Sequence, residues 1–322
     1  MTSVVICAYT TKRWDQLQAA VESVATQSAD VEIVIVVDHN DELLEMCVAQ
    51  WPHRRVVSNR FTQGLSGARN TGVSETKSDI IAFLDDDATA ENGWLEALTA
   101  GFKDPSVGGV GGYVVPAWAA PSPSWLPPEF WWVVGCSYVG LPARAEEIRN
   151  PIGANMAFRR SVFDKVGGFH EAIGRVGTIP LGCEETELSI RARTAGFSIW
   201  YLPDAIVHHW VSGDRLTLRY FLRRCHAEGL SKAVVSALAG RADGLASERA
   251  YATRTLPRAV RRASVQAALG PARGDGLRRA AAVVAGLLTA GAGFARGTVA
   301  NRKRQASIGP APSIHWELPV RD

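Results

Sequence analysis

Residues 80–87 read Ile-Ile-Ala-Phe-Leu-Asp-Asp-Asp, an apolar run that ends in three consecutive acids. The first five side chains are apolar and β-prone, which predicts a strand buried on both faces. Three adjacent carboxylates at its end repel one another, so the cluster needs solvent or a bound cation. Because α/β sheets bind ligands at the ends of parallel strands, we predict a divalent metal shared by Asp85 and Asp87. An ordinary acidic turn is the alternative.

Strand-like and helix-like segments alternate around this strand. Apolar runs predict buried strands at residues 3–8 and 31–37, and apolar residues at helical spacing predict helices at 14–27 and 42–51. Such alternation predicts the α/β class, with a central, mostly parallel sheet that helices cover on both faces. The same reasoning predicts further segments: strands at 54–58, 109–115, 152–158, 198–202 and 205–207, helices at 68–74, 92–102, 161–166, 184–195 and 216–238, and a loop at 116–128.

Composition narrows the classes of partner. The formal net charge of +3 over 322 residues gives no nucleic-acid signal. The five cysteines form no Cys-x-x-Cys pair, which indicates reduced thiols in a cytoplasmic protein, and no signal peptide precedes the first strand.

The apolar run at 280–295 is shorter than the roughly 20 residues that span a bilayer, so we expect a packed or membrane-surface helix there. The arginines beyond residue 241 could face anionic lipid or only keep helices soluble.

Several polar groups outside the acidic strand are candidates for chemistry, although each has an ordinary structural alternative. Asp38 follows a strand and could hold a nucleoside or cap a helix. Arg69, after glycines 64 and 67, could bind phosphate or lie on the surface. Neighbouring carboxylates raise one another's pKa, so one of the acids at 184, 185 and 187 could serve as a general base near neutral pH. Alternatively, these acids could only stabilise the N-terminus of a helix through its dipole. The histidines at 208 and 209 could complete a Mn²⁺ site or be buried without a ligand. The tryptophans at 118, 125, 131 and 132 could stack on a sugar or fill the core.

In their order along the chain, these segments resemble the family 2 glycosyltransferases, which have the GT-A fold. The resemblance covers roughly the first 230 residues. It rests on Val-Val-Ile-Cys-Ala-Tyr-Thr at the start, Val-Val-Asp-His-Asn at 36–40, Gln63-Gly-Leu-Ser-Gly-Ala-Arg-Asn-Thr-Gly72, the Asp-x-Asp motif at 85–87, Gly-Ala-Asn-Met at 153–156, and Gly182-Cys-Glu-Glu-Thr-Glu-Leu188. A glutamate stands at 185 where the family usually has aspartate.

The resemblance implies a role for each matched residue. Glu185 would be the catalytic base. Metal ligands would be Asp85, Asp87 and His209, with His209 preferred over His208 because Val211 and Arg215 follow it. The nucleotide-sugar would contact Ala8, Tyr9, Thr10, Arg13, Asp38, Gly67, Arg69, Asp85, Asp86, Asn155 and Glu184.

The resemblance therefore implies an inverting glycosyltransferase that depends on Mn²⁺ or Mg²⁺. The donor would be a UDP-sugar, and the acceptor the hydroxyl of a glycan, with lipid-linked and cell-envelope glycans as the candidates. Residues 1–235 would form the GT-A domain, with a nucleotide-sugar half at 1–115 and an acceptor half at 116–235. The resemblance does not specify residues 236–322, for which we expect a basic helical extension with a frayed end; contact with the cytoplasmic face of a membrane is one of the two alternatives for it.

Two other classes stay open from sequence alone. A sugar-phosphate nucleotidyltransferase would need a glycine-rich loop directly after the first strand, where residues 9–13 contain no glycine. A non-catalytic sugar-binding module would not need the acids at 85, 87 and 185. For the enzyme, we expect Asp87→Ala and Glu185→Gln each to abolish transfer and leave the fold intact.

Overall fold

The computed structural model describes residues 1–28, 31–176, 181–239, 251–269 and 273–308. A single sheet runs through the described chain in the order β3-β2-β1-β4-β8-β6-β9-β5, with β7 beside β9. Its strands are β1 (Thr2–Ala8), β2 (Glu32–Val37), β3 (Arg55–Ser58), β4 (Ile80–Asp85), β5 (Ala88–Ala90), β6 (Val107–Trp118), β7 (Glu146–Glu147), β8 (Asn155–Arg159) and β9 (Ser198–Val211).

Helices cover both faces of this sheet, which confirms the predicted α/β class. They are α1 (Trp14–Ala25), α2 (Asp41–Gln50), α3 (Leu65–Glu75), α4 (Trp94–Ala100), α5 (Arg160–Val166) and α6 (Glu184–Thr194). Apolar side chains of α1, α2 and α4 join one buried cluster, and those of α3, α5 and α6 join another. The central strands contribute alternate residues to the two clusters, and for this reason β1, β2 and β4 are continuously apolar apart from polar residues at one end.

Strand direction divides the sheet into two parts. β3, β2, β1 and β4 are parallel, so β1, β2 and β4 end at one edge. Beyond β4 the pairing is mixed, because β8 is antiparallel to both β4 and β6, while β9 is parallel to β6 and antiparallel to β5. Asp38 and Asp85 therefore lie near each other at the same edge, as the sequence predicts.

Three predicted elements differ from the structure in their bounds. β6 continues to Trp118 into the predicted loop, since β9 supplies a hydrogen-bonding partner along its whole length. The two strands predicted at 198–202 and 205–207 are one strand, β9, which absorbs the Pro203 region as a register shift between Gly112 and Tyr113 of β6. α3 begins at Leu65, inside the stretch taken for a loop.

Three further helices lie at the C-terminal side: α7 (Leu218–Ala239), α8 (Leu256–Leu269) and α9 (Arg273–Ile308). α7 and α9 approach each other closely at glycines. A Cβ at Gly229 would lie 2.0 Å from the Ala290 carbonyl oxygen, and one at Gly293 would lie 2.1 Å from that of His226. α7 runs across the boundary predicted at residue 235, and that division stays a prediction. The end is predicted to fray after residue 301, whereas α9 continues to Ile308; the rest of that predicted end, beyond residue 308, lies outside the described residues.

α9 changes the argument about membranes. The segment Arg273–Arg302 is 30 residues long and, by length and composition alone, apolar enough to cross a bilayer. The uncharged run at 280–295 is by itself too short to span a bilayer, whereas the helix that contains it extends beyond it at both ends. Only 28% of its most apolar window is buried in the described structure.

Candidate active site

Two carboxylates and one imidazole meet at the end of β4. Ligand atoms of Asp85, Asp87 and His209 all lie within 4.8 Å of one another. Two ligands on opposite sides of a Mg²⁺ or Mn²⁺ ion stand about 4.2 Å apart, given bonds of about 2.1 Å. Oxygen and imidazole nitrogen are donors that both ions accept. The three groups therefore fit a divalent ion after a small contraction.

The short strand β5 explains why His209 completes this group. The chain reverses at 86–87, and β5 then pairs with β9 so that Ala88 lies opposite His209. His209 Nε2 comes to 3.1 Å from Asp87 Oδ1. His208 points the other way, where its Nε2 lies 2.6 Å from Glu91 Oε1. The structure thus brings His209, and not His208, to the acidic cluster.

Asp87 is the most heavily paired acid of the cluster. Its Oδ2 accepts hydrogen bonds from Arg13 Nη1 at 2.7 Å and from Arg215 Nη2 at 3.0 Å. Burial opposes ionisation, yet His209 and the two arginines hold the pKa of Asp87 well below its usual range. Burial also disfavours the charged form of His209, but Asp87 raises the pKa of His209 to about 10. Asp87 is therefore an anion paired with two arginines and with His209, whose ring has to be neutral to bind a metal.

Cys136 and Gly135 hold the other side of the His209 ring. The Cys136 sulfur lies 3.8 Å from His209 Nδ1. Gly135 has a φ of +84°, and a Cβ there would come within 3.1 Å of the ring. The ring is thus packed closely on the side away from Asp87.

A small cavity extends from the acids towards the β1–α1 turn. Its lining includes Ala8, Tyr9, Arg13, Asp38, Asp85 and Asp86. Asp38 Oδ1 accepts from Asn59 Nδ2 at 2.7 Å, and Asp38 Oδ2 accepts from the Gly64 amide at 2.9 Å. The guanidinium of Arg13 stacks over Tyr9 at 4.9 Å. These contacts fix the polar groups that the cavity presents to a ligand.

Asp86 occupies a different environment from Asp87, although the two are adjacent. Arg13 Nη1 lies 2.9 Å from Asp86 Oδ1, while the buried Oδ2 has no hydrogen-bond partner within the described structure. Burial and repulsion from Asp87 raise the pKa of Asp86 to about 7, against the pull of Arg13.

A larger cleft of about 940 Å³ begins on the other side of Asp85. Arg69 forms its floor: Nη1 donates to Glu184 Oε1 at 2.7 Å, and Nη2 donates to the Gly153 carbonyl at 3.0 Å and lies 3.4 Å from Asp85 Oδ1. Arg69 is only 2% exposed. A buried arginine thus connects the acidic end of β4 to the N-terminus of α6.

Glu185 lines the same cleft one residue further along α6. Its Oε1 accepts a hydrogen bond from Thr186 Oγ1 at 2.9 Å. Burial and the neighbouring Glu184 raise the pKa of Glu185 to about 7, while Lys232 acts in the opposite direction. Such a carboxylate can take up a proton near neutrality.

Three residues assigned to the donor from sequence lie outside the lining of both cavities. Thr10 caps the turn before α1, where its Oγ1 accepts from the Lys12 amide. At Gly67 a Cβ would lie 2.0 Å from the Thr62 carbonyl oxygen, so this glycine allows close backbone packing. Asn155 is fully buried and bonded to Trp94 Nε1 and to the carbonyls of Tyr113 and Ala205. These three residues thus have structural contacts of their own, and their assignment to the donor stays a prediction.

Other groups around the site were missed or misjudged from sequence. Arg215 pairs with Asp87, but it lies 128 residues away and gives no local signal. Among the four loop tryptophans, Trp132 lines the large cleft, whereas Trp118, Trp125 and Trp131 stack on other buried aromatic side chains. The sequence carries no periodic signal in this segment that separates the two cases.

Comparison with known proteins agrees with this geometry. The profile of "Glycosyl transferase family 2" matches residues 3–167, which is just over half of the chain. The chain belongs to this family. A curated relative is the glucosyl-dolichyl phosphate glucuronosyltransferase of Haloferax volcanii, which is 36% identical over 242 residues that cover 73% of this chain and 77% of the relative. The protein is therefore a glycosyltransferase, and the nucleotidyltransferase and binding-module alternatives fall away.

Two solved structures are similar to this chain in fold. The mannosyltransferase PcManGT from Pyrobaculum calidifontis, in complex with GDP-Man and Mn²⁺, aligns with a TM-score of 0.55 and 17% identity over 89% of this chain and 86% of that chain. GalNAc-T7 with UDP, GalNAc and Mn²⁺ aligns with a TM-score of 0.50 and 16% identity over 76% of this chain and 55% of that chain. The GT-A fold expected from the sequence is confirmed.

Proposed function

We propose that this glycosyltransferase moves a sugar from a UDP-sugar to the hydroxyl of a lipid-linked glycan, with inversion at the anomeric carbon. The observation that carries the proposal is that Asp85, a member of the Asp85–Asp87–His209 group, lines the same cleft as Glu185, and that Arg69 contacts both Asp85 and Glu184 there. A donor diphosphate at this group would present its sugar towards Glu185.

The donor end is assigned to the small cavity. Asp38, held by Asn59 and Gly64, is positioned to accept from the nucleoside, and Arg13 is positioned near the phosphates. Asp85, Asp87 and His209 would hold Mn²⁺ or Mg²⁺, which neutralises charge on the diphosphate leaving group. The two fold neighbours were solved with Mn²⁺ and either GDP-Man or UDP, so they support a nucleotide donor and an ion but not the choice of base.

Glu185 is assigned as the general base. Its carboxylate would take the proton of the acceptor hydroxyl as that oxygen attacks the anomeric carbon, so no covalent enzyme intermediate is required. Glu184 has a buried Oε2 without a partner in the described structure and faces the same opening, where it could accept from a sugar hydroxyl.

The acceptor class and location rest on the C-terminal side. The Haloferax volcanii relative is a glucosyl-dolichyl phosphate glucuronosyltransferase, and a sugar on dolichyl phosphate is a lipid-linked substrate. α9 has a largely exposed apolar window, and the basic side chains of α8 and α9 would favour an anionic surface. We therefore place the protein on the cytoplasmic face of a membrane, in contact with it through these helices.

A thermal-shift screen tests the donor and the ion. UDP-sugars with Mn²⁺ are expected to raise the melting temperature, because a ligand that binds only the folded state stabilises it by mass action, by about 2.7 kcal/mol at a hundred times its dissociation constant. GDP-sugars with Mn²⁺, and UDP-sugars with EDTA, serve as controls. A shift that is equal for both bases, or that survives EDTA, would contradict the proposed donor or metal.

The pH profile tests the base. Because the pKa of Glu185 is about 7, kcat/KM is expected to rise as pH increases through 7 and then to level off, since only the deprotonated carboxylate accepts a proton. Initial rates between pH 5.5 and 9 at saturating Mn²⁺ measure this. A profile that is flat or falls through pH 7 would argue against Glu185.

A further inference from the structure

The large cleft extends well beyond the sugar-transfer region. Besides Glu185, its lining includes residues of α7, α8 and α9, among them Leu287, Ala290 and Phe294 of α9. Its volume of about 940 Å³ is near the upper limit of common small-molecule sites. A donor sugar and one acceptor sugar would occupy only the part next to Asp85.

The wall beside Glu185 is rich in positive charge. Arg224, Glu228 and Lys232 lie four residues apart on one face of α7, and the charged ends of both cations reach the same carboxylate at 3.3 and 3.5 Å. Their side chains are 11% and 12% exposed, so they belong to the wall of the cleft and not to the outer surface. Lys232 is near enough to Glu185 to lower its pKa.

Two more arginines line the cleft further along, Arg254 and Arg258. The described cleft-lining residues from α7 to the start of α8 thus include four cations and a single acid, Glu228. Cations concentrated in a partly desolvated cleft attract an anion and discriminate against neutral ligands.

Beyond the cations the lining becomes aromatic and apolar. Phe130, Trp132, Tyr138 and Tyr251 contribute to it, followed by Leu256 and Leu287. Leu287 is 43% exposed, next to Leu288, which is 68% exposed. Leu277, Val284, Leu288 and Val299 form an exposed apolar stripe on α9, as their spacing along the helix requires. The cleft therefore opens beside an apolar surface.

We propose that this extension of the cleft binds the acceptor through a phosphate ester attached to a long apolar chain, with the phosphate held at Arg224 and Lys232 and the chain running past Trp132 and Tyr251 to the outer stripe of α9. The inference rests on the proposed function, since it identifies the acceptor of the same reaction. It places the acceptor phosphate on the α7–α9 side, apart from the donor diphosphate at Asp85 and Asp87.

Binding of farnesyl phosphate to the full chain tests this site without catalysis. Titration followed by tryptophan fluorescence or calorimetry is expected to give a Kd at least about tenfold lower than that of farnesol or of inorganic phosphate. Farnesol can contact only the apolar lining, and inorganic phosphate can contact only the cations. Arg224→Gln and Lys232→Gln are each expected to weaken farnesyl phosphate about tenfold or more and to leave farnesol unchanged. Arg223→Gln, on the exposed side of α7, is the matched control.

The outcomes separate this site from the proposed function. Thermal stabilisation of each variant by UDP-sugar and Mn²⁺ shows that its fold and its donor site are intact. If this stabilisation persists while farnesyl phosphate binds no better than farnesol, only the acceptor site is overturned. Arg258→Gln, at an exposed position of α8, repeats the test should the α7 variants fail to fold. Binding to anionic vesicles that depends on Arg224 and Lys232, without binding of farnesyl phosphate, would assign these cations to the bilayer and overturn the proposal.

Discussion

Asp87→Asn is expected to abolish transfer and to lower the melting temperature at the same time. The loss of activity, roughly 10²–10³-fold or more, follows from removing a proposed ligand of the ion that stabilises the leaving group. The loss of stability has a separate cause, since Asp87 pairs with Arg13, Arg215 and His209 in a buried cluster. Removing one partner of a buried ion pair costs about 3–5 kcal/mol. The sequence alone predicted an intact fold, and these contacts argue against that expectation for Asp87.

Asp85→Asn is the matched control. The Asp85 side chain is 30% exposed, and within the described residues its ion-pair contact is with Arg69 at 3.4 Å. We expect this variant to lose Mn²⁺-dependent transfer to a similar degree while its melting temperature without ligand stays near that of the wild type. Unfolding curves and initial rates over a Mn²⁺ titration measure both effects. An Asp87→Asn protein that keeps its transfer rate and its Mn²⁺ dependence would remove the acidic cluster from the mechanism.

The acidic edge of the sheet could be predicted because its signals are local. β1, β2 and β4 are continuous apolar runs, and each is followed directly by polar groups, so strand type and the position of Asp38 and Asp85 follow from short stretches. Parallel pairing then requires these ends to lie at one edge. The family resemblance added Glu185, which the helix pattern alone could not distinguish from Glu184 or Glu187.

What the sequence could not give depends on distant pairing. The sequence preferred His209 over His208 only through the family resemblance; the physical reason is the three-residue strand β5, whose pairing with β9 decides which face each histidine takes. Asn155 matched a motif but lies buried among Trp94, Tyr113 and Ala205, and only packing shows that its amide is already satisfied. The extended cleft likewise exists only after α7, α8 and α9 pack against the sheet domain.

Glu185→Gln is expected to reduce transfer by about 10²–10⁴-fold, the range that general-base catalysis contributes, while UDP-sugar and Mn²⁺ still stabilise the protein. The variant should also be more stable than the wild type above pH 7. Burial and Glu184 raise the pKa of Glu185 to about 7 in the folded chain, from 4.5 for an unperturbed glutamate. Its ionisation therefore favours unfolding, and the stability contributed by this group is lost as pH rises through that interval. Glutamine keeps the shape without the charge.

Glu185→Asp provides the graded control, because the base moves back by one methylene and is expected to retain part of the activity that glutamine loses. Rates for the three proteins at pH 8, together with the anomeric configuration of the product, separate a chemical role from a packing role. If the glutamine variant turned over near the wild-type rate, or if its melting temperature fell above pH 7, the proton would have to go to another acid. Glu184 is the nearest alternative, but its Oε1 already accepts a hydrogen bond from Arg69.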